Sequence, residues 1–159
     1  TSVSRGLGDV YKRQHLNDTS DIIYGSADIA LNIKDSEDRV RLDLISQGKD
    51  GMGMEVKKVT FNGSEVSYSH DNDVLLIETG ALEYSSRDII NVVYSGMPIT
   101  GLIIGPNMHG DRTFFSDNWP NKARNWLPLV DHPYDKSTAE FVVIAPNHYQ
   151  VISNGLLVE

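Results

Sequence analysis

Residues 117–136 read DNWPNKARNWLPLVDHPYDK and hold both tryptophans and three of the six prolines of the 159-residue chain. Arg124 and Asp131 flank Asn125, Trp126, Leu127 and Pro128. A cation and an anion are thus separated by an aromatic and aliphatic plug whose end carries a ring-locked φ. This spacing predicts a rigid corner, with Asp131 accepting hydrogen bonds from backbone N–H groups or from the Arg124 guanidinium. Structural bracing alone accounts for both residues.

Working outward from the corner, the chain is written in period two. Upstream, Ile23, Ala27, Ile29, Leu31 and Ile33 share one parity, with Gly25 interrupting, which predicts a strand with one buried face. Residues 35–38 form a polar turn, and Val40, Leu42 and Leu44 then alternate with Arg39, Arg41 and Asp43 in a second strand, expected to pair with the first. Residues 47–53 read as a loop. Met54, Val56, Val59 and Phe61 lead into Asn62-Gly63, a strong short hairpin signal. Val66 and Tyr68 begin the return, residues 70–73 turn, and Val74, Leu75, Leu76 and Ile77 make a compact apolar strand. Ile89 to Tyr94 supplies another, running into Gly96 and Pro98. Residues 100–110 read as an irregular loop or bulged edge, and Thr113, Phe114 and Phe115 as a strand entering the corner. Beyond it, residues 138–144 are β-rich, and Leu156, Leu157 and Val158 open a further strand. With no amphipathic helix of ten residues or more, the fold class is all-β: an antiparallel β-sandwich or saddle-shaped sheet.

Composition excludes several functions. A net charge of −8 carries no nucleic-acid footprint, which needs clustered Lys and Arg. With no cysteine, the chain has neither a thiolate metal site nor a cysteine nucleophile. No run of 18 apolar residues encodes a membrane-spanning helix. Residues 1–14, TSVSRGLGDVYKRQ, resemble a translated sequencing-adapter fragment, and are expected to be a non-native tail packing poorly on the sheet. A partial pairing of this tail with an open sheet edge is the alternative. Without its three basic residues and one acid, the remainder carries −8 − 3 + 1 = −10.

The corner also carries a resemblance. Arg124, Pro128, Asp131 and Pro133, followed by Ser153, Asn154 and Gly155, resemble the R-x-x-x-P-x-x-D-x-P…SNG signature of the amino-terminal β domain of aminopeptidase N-like zinc metallopeptidases, a family that includes leukotriene-A hydrolase. Tyr94, Gly96 and Pro98 are similar to that family's Y-x-G-x-P, and Leu42, Asp43 and Leu44 to its L-D-L strand. The resemblance covers residues 15–159 and implies a partial amino-terminal domain, incomplete at both ends, whose catalytic domain is missing. It implies no cofactor here and zinc in that absent domain of the parent. It further implies that the domain covers its own catalytic domain and helps hold the amino terminus of a peptide substrate, through positions falling at Asp117 and Trp119. Asp117 carries the charge an ammonium needs, whereas Trp119 departs from the family's amide or acid. A surface loop acid is the structural alternative for Asp117.

The family's metal motif, H-E-x-x-H, is absent: no two of His15, His70, His109, His132 and His148 stand four apart. Gly53-Met54-Glu55-Val56 is similar to G-x-M-E-N but has Val56 for Asn, and reads as strand. Asp117, Asp131 and His132 lack a serine nucleophile elbow beside them. Asn17-Asp18-Thr19 and Asn62-Gly63-Ser64 match glycosylation triplets, the second already explained by its hairpin. The rival reading, from a different class, is a free-standing β-sandwich module binding glycan or protein through Trp119 and Trp126, which otherwise serve as core anchors.

Overall fold

The structure, a computed structural model, describes residues 7–31, 38–80, 88–132 and 137–158. Ile33, the turn at residues 35–37 and Pro133 lie outside the described residues. Eleven strands are described: β1 (Leu7–His15), β2 (Ile23–Leu31), β3 (Arg39–Asp43), β4 (Gly53–Phe61), β5 (Ser64–Glu65), β6 (Tyr68–Asp71), β7 (Val74–Glu78), β8 (Asp88–Met97), β9 (Leu102–Pro106), β10 (Arg112–Ser116) and β11 (Ala139–Ile144). A single 3₁₀ turn, Ala123–Asn125, is the sole helical element among the described residues.

The strands form a six-stranded sheet ordered β11-β1-β2-β8-β4-β5, a three-stranded sheet ordered β3-β7-β6 and a β9-β10 ribbon. All pairings are antiparallel except β1 with β11. Ile29, Val59, Ile90 and Val92 from the large sheet, and Leu42, Leu75 and Ile77 from the small one, are fully buried in one core. Each contributes about 1.5–3 kcal/mol by leaving water.

Local chemistry explains the elements. In β4 the buried parity passes from Met54 and Val56 to Val59 and Phe61 because the register against β8 shifts between Val56 and Lys58. A bulge at Lys57 absorbs the extra residue. Asn62 and Gly63 both take positive φ (47° and 83°), as do Asn72 and Asp73 (50° and 64°), the geometry of tight hairpin turns. Gly25 lies opposite Tyr94 on β8, and a Cβ there would sit 2.3 Å from the Tyr94 ring. The missing side chain makes room for a fully buried aromatic.

Four expectations are corrected. β3 pairs with β7, not β2, since both edges of β2 are taken by β1 and β8. Residues 100–110 contain a regular strand, β9, because Leu102 and Ile104 turn one face of the ribbon to the core. The expected poor packing of the tail gives way to its alternative, pairing with an open sheet edge: Leu7–His15 form β1, paired on both sides, with Val10 only 3% exposed. The open edge of β2 offers a row of unpaired backbone groups, which satisfies a strand whatever its side chains. The side chains record the poor match, because Lys12 and Gln14 share the inward face with Val10. Finally, Leu156, Leu157 and Val158 are exposed and form no strand, since none of the described residues pairs with them to receive their backbone hydrogen bonds.

Candidate functional site

The corner closes as the spacing predicts. Asp131 Oδ2 accepts from the Arg124 backbone N–H (3.2 Å) and from Arg124 Nε (3.1 Å), while Arg124 Nη2 donates to the Asp131 carbonyl (3.1 Å). The Asp131 side chain is 9% exposed, so these are desolvated, charge-assisted bonds. A second carboxylate joins them. Asp43, inside the Leu42-Asp43-Leu44 stretch, exchanges backbone bonds with Leu129 (2.7 and 3.3 Å) and accepts the Asp131 N–H on Oδ2 (3.1 Å). That same oxygen lies 3.8 Å from Arg124 Nη2. Arg124 is thus shared by two acids, and Pro128 between it and Asp131 is buried.

Trp126 fills the corner's inside. It is 6% exposed, its indole N–H donates to Asn118 Oδ1 (3.0 Å) and its ring stacks on Phe141. Lys12 Nζ sits 5.4 Å from the centre of the same Phe141 ring. Burial lowers the Lys12 amine from 10.5 to about 8, with Asp131 opposing that shift. Asn154 and Gly155 lie on the exposed segment after β11 and take no part in the Arg124–Asp131–Asp43 cluster.

β10 ends at Ser116, and Asp117 follows at once. The Asp117 N–H donates to the Gly101 carbonyl (2.8 Å), extending the ribbon's pairing by one bond. Gly101 has φ +79°, and a Cβ there would meet the Lys122 carbonyl at 2.3 Å. Only glycine combines that φ with that close approach. The Asp117 side chain is 44% exposed. Its Oδ2 lies 2.7 Å from Lys122 Nζ, and its Oδ1 receives the Trp119 N–H at 3.4 Å. The Lys122 ammonium, and after it the Trp119 N–H, hold the Asp117 carboxyl below the usual carboxylate range. An ionised carboxylate is therefore presented at a strand end, beside a Trp119 ring that is 80% exposed. The two tryptophans take opposite parts, Trp126 as core anchor and Trp119 as exposed ring.

Sequence reasoning missed Lys122, Gly101 and the role of Asp43 at Arg124. The signal for Lys122 was an opposite charge five residues after Asp117, on the far side of a proline. Asp131 is engaged by Arg124 and Asp117 by Lys122, so both carboxylates considered for a hydrolytic set are already held by cations. Gly53-Met54-Glu55-Val56 is the start of β4, with Met54 in the core and Glu55 paired to Lys57. Among the described residues, no group of three or more His, Asp or Glu could hold a metal ion.

Solved structures share this fold. The M1 zinc metallopeptidase from Deinococcus radiodurans is 20% identical with a TM-score of 0.70, over 89% of this chain and 32% of that one. A mutant of that enzyme bound to a Tyr-Ser-Ala substrate gives 20% identity and a TM-score of 0.77, over 96% of this chain and 35% of that one. Native leukotriene A4 hydrolase from Saccharomyces cerevisiae gives 19% and 0.72, over 89% of this chain and 23% of that one. The chain thus spans about a third or less of these relatives' length. No curated protein matches it. The model of the Peptidase M1 N-terminal domain matches residues 11–159, and the chain belongs to that family.

Proposed function

We propose that this domain serves a zinc-dependent aminopeptidase by covering its catalytic domain and holding the substrate's α-ammonium, with Asp117 as the anion that receives it. One observation carries the reading: a half-exposed, ionised carboxylate stands at the end of β10, fixed through its own backbone by Gly101. Rigid scaffolds present functional groups at such strand ends. An exopeptidase needs an anion there, because that contact orients the scissile bond and rejects internal peptide bonds. Trp119, exposed and bonded through its backbone N–H to the same carboxylate, would line the approach. The sequence lacks H-E-x-x-H, and among the described residues no group of three or more His, Asp or Glu could hold a metal ion, so in this reading the metal chemistry belongs to the rest of the parent. A free-standing glycan-binding module has the exposed Trp119 in its favour, but family membership favours the aminopeptidase reading.

The test is Asp117→Asn in the complete parent enzyme. Losing a charge-assisted hydrogen bond of ~1.5–3 kcal/mol raises KM for free-amine peptides about tenfold or more. An unchanged KM refutes the role.

A further inference from the structure

The carboxylate assigned to the substrate amine already has an ammonium on it. Lys122 reaches Asp117 Oδ2 at 2.7 Å, and its backbone is held on several sides. The Lys122 N–H donates to the Asn118 carbonyl (3.1 Å), while its own carbonyl accepts from the Asn125 backbone N–H (3.0 Å) and from Asn125 Nδ2 (2.9 Å). Asn125 is itself 8% exposed, so the turn bearing Lys122 is anchored in the folded interior. Only the Lys122 side chain is free to swing, and 36% of it meets solvent.

We propose that Lys122 is a specificity-determining residue: its ammonium competes with the substrate's α-ammonium for Asp117 and sets the affinity for free peptide amino termini. The proposal rests on the amine-binding reading of Asp117. Oδ1 bears only the long Trp119 contact, at 3.4 Å, and remains open to a second donor. A substrate ammonium docking there stands beside the Lys122 ammonium and is repelled by it. Docking on Oδ2 requires Lys122 to leave. Either way Lys122 weakens binding, and an uncharged group, unable to displace the ammonium, is refused. The pair is solvent-screened, so the swing is inexpensive and the competition modest.

The experiment uses the complete parent and measures kcat and KM for a free-amine peptide in four proteins: Asp117→Asn, Lys122→Met, the double variant and Lys122→Arg. Lys122→Met keeps most of the aliphatic stem and removes the charge. Competition predicts that it lowers KM roughly two- to fivefold with kcat little changed. Lys122→Arg, which keeps the cation, stays near the wild-type KM. In the double variant the KM equals that of Asp117→Asn, because without the carboxylate there is nothing to compete for. A raised or unchanged KM in Lys122→Met, while Asp117→Asn raises it, overturns the competitor role and leaves the Asp117 reading standing. An unchanged KM in Asp117→Asn removes both. Melting curves showing Lys122→Met folded like wild type separate a raised KM from simple damage to the turn.

Discussion

Replacing Lys12 by methionine should stabilise this domain. Lys12 is 5% exposed on the inward face of β1, and burial lowers its amine from 10.5 to about 8. At about 1.4 kcal/mol for each tenfold in proton affinity, that displacement amounts to about 3 kcal/mol against folding at pH 7. Methionine, of similar length and free of charge, removes this penalty, which is already net of the attraction to Asp131, but also the contact with the Phe141 ring. The ring contact is worth about 0.5–1 kcal/mol or somewhat more when desolvated, so a net gain of about 1–2 kcal/mol is expected. Urea denaturation of the two proteins measures it. The pH dependence gives a sharper signature. The folded-state value lies below the unfolded one, so between pH 8 and 10.5 the unfolded chain binds more protons and wild-type stability rises with pH. The advantage of Lys12→Met is therefore full below pH 8 and shrinks toward pH 10.5. Comparing the proteins at each pH removes the contribution of other groups, such as Tyr94, whose phenol burial pushes up. A variant less stable than wild type at pH 7, or a gap that does not close with rising pH, refutes the reasoning.

Arg124→Met leaves the Asp131 and Asp43 carboxylates facing each other without their shared cation, and should cost about 3 kcal/mol in urea denaturation; a loss below about 1 kcal/mol would mean that the corner is held by its backbone bonds alone. Purified by itself, the chain should bind well under one equivalent of zinc and show no aminopeptidase activity, because its five histidines lack the metal-binding spacing. Elemental analysis and a fluorogenic amino-acid amide check the two halves of that expectation.

The sequence was informative where structure is local. The parity of Ile23, Ala27, Ile29 and Leu31 declared β2, and Asn62-Gly63 declared the hairpin between β4 and β5, because period and turn chemistry are decided within a few residues. The Arg124–Asp131 brace was legible because a proline-locked plug separates the two residues. The partner of β3 was not legible, since pairing depends on which edges remain open in the assembled sheet, a property no segment carries. β1 was set aside because residues 1–14 resemble an adapter fragment, and its inward face of Val10, Lys12 and Gln14 has no apolar alternation to argue otherwise; backbone pairing to β2 and β11 overrode its side chains. At the site, Asp117 was reached through the family's motif, while Lys122 looked like any surface lysine until the turn brought it to 2.7 Å.

The role assigned to Asp117 is tested most directly by a structure of the complete parent with an uncleaved peptide whose α-amine is free. The distance from the Asp117 carboxylate to the α-ammonium nitrogen should be about 3 Å, either on Oδ1 beside Lys122 or on Oδ2 with Lys122 Nζ withdrawn. An ammonium bound elsewhere, with Asp117 still closed on Lys122 as it is here, would contradict it.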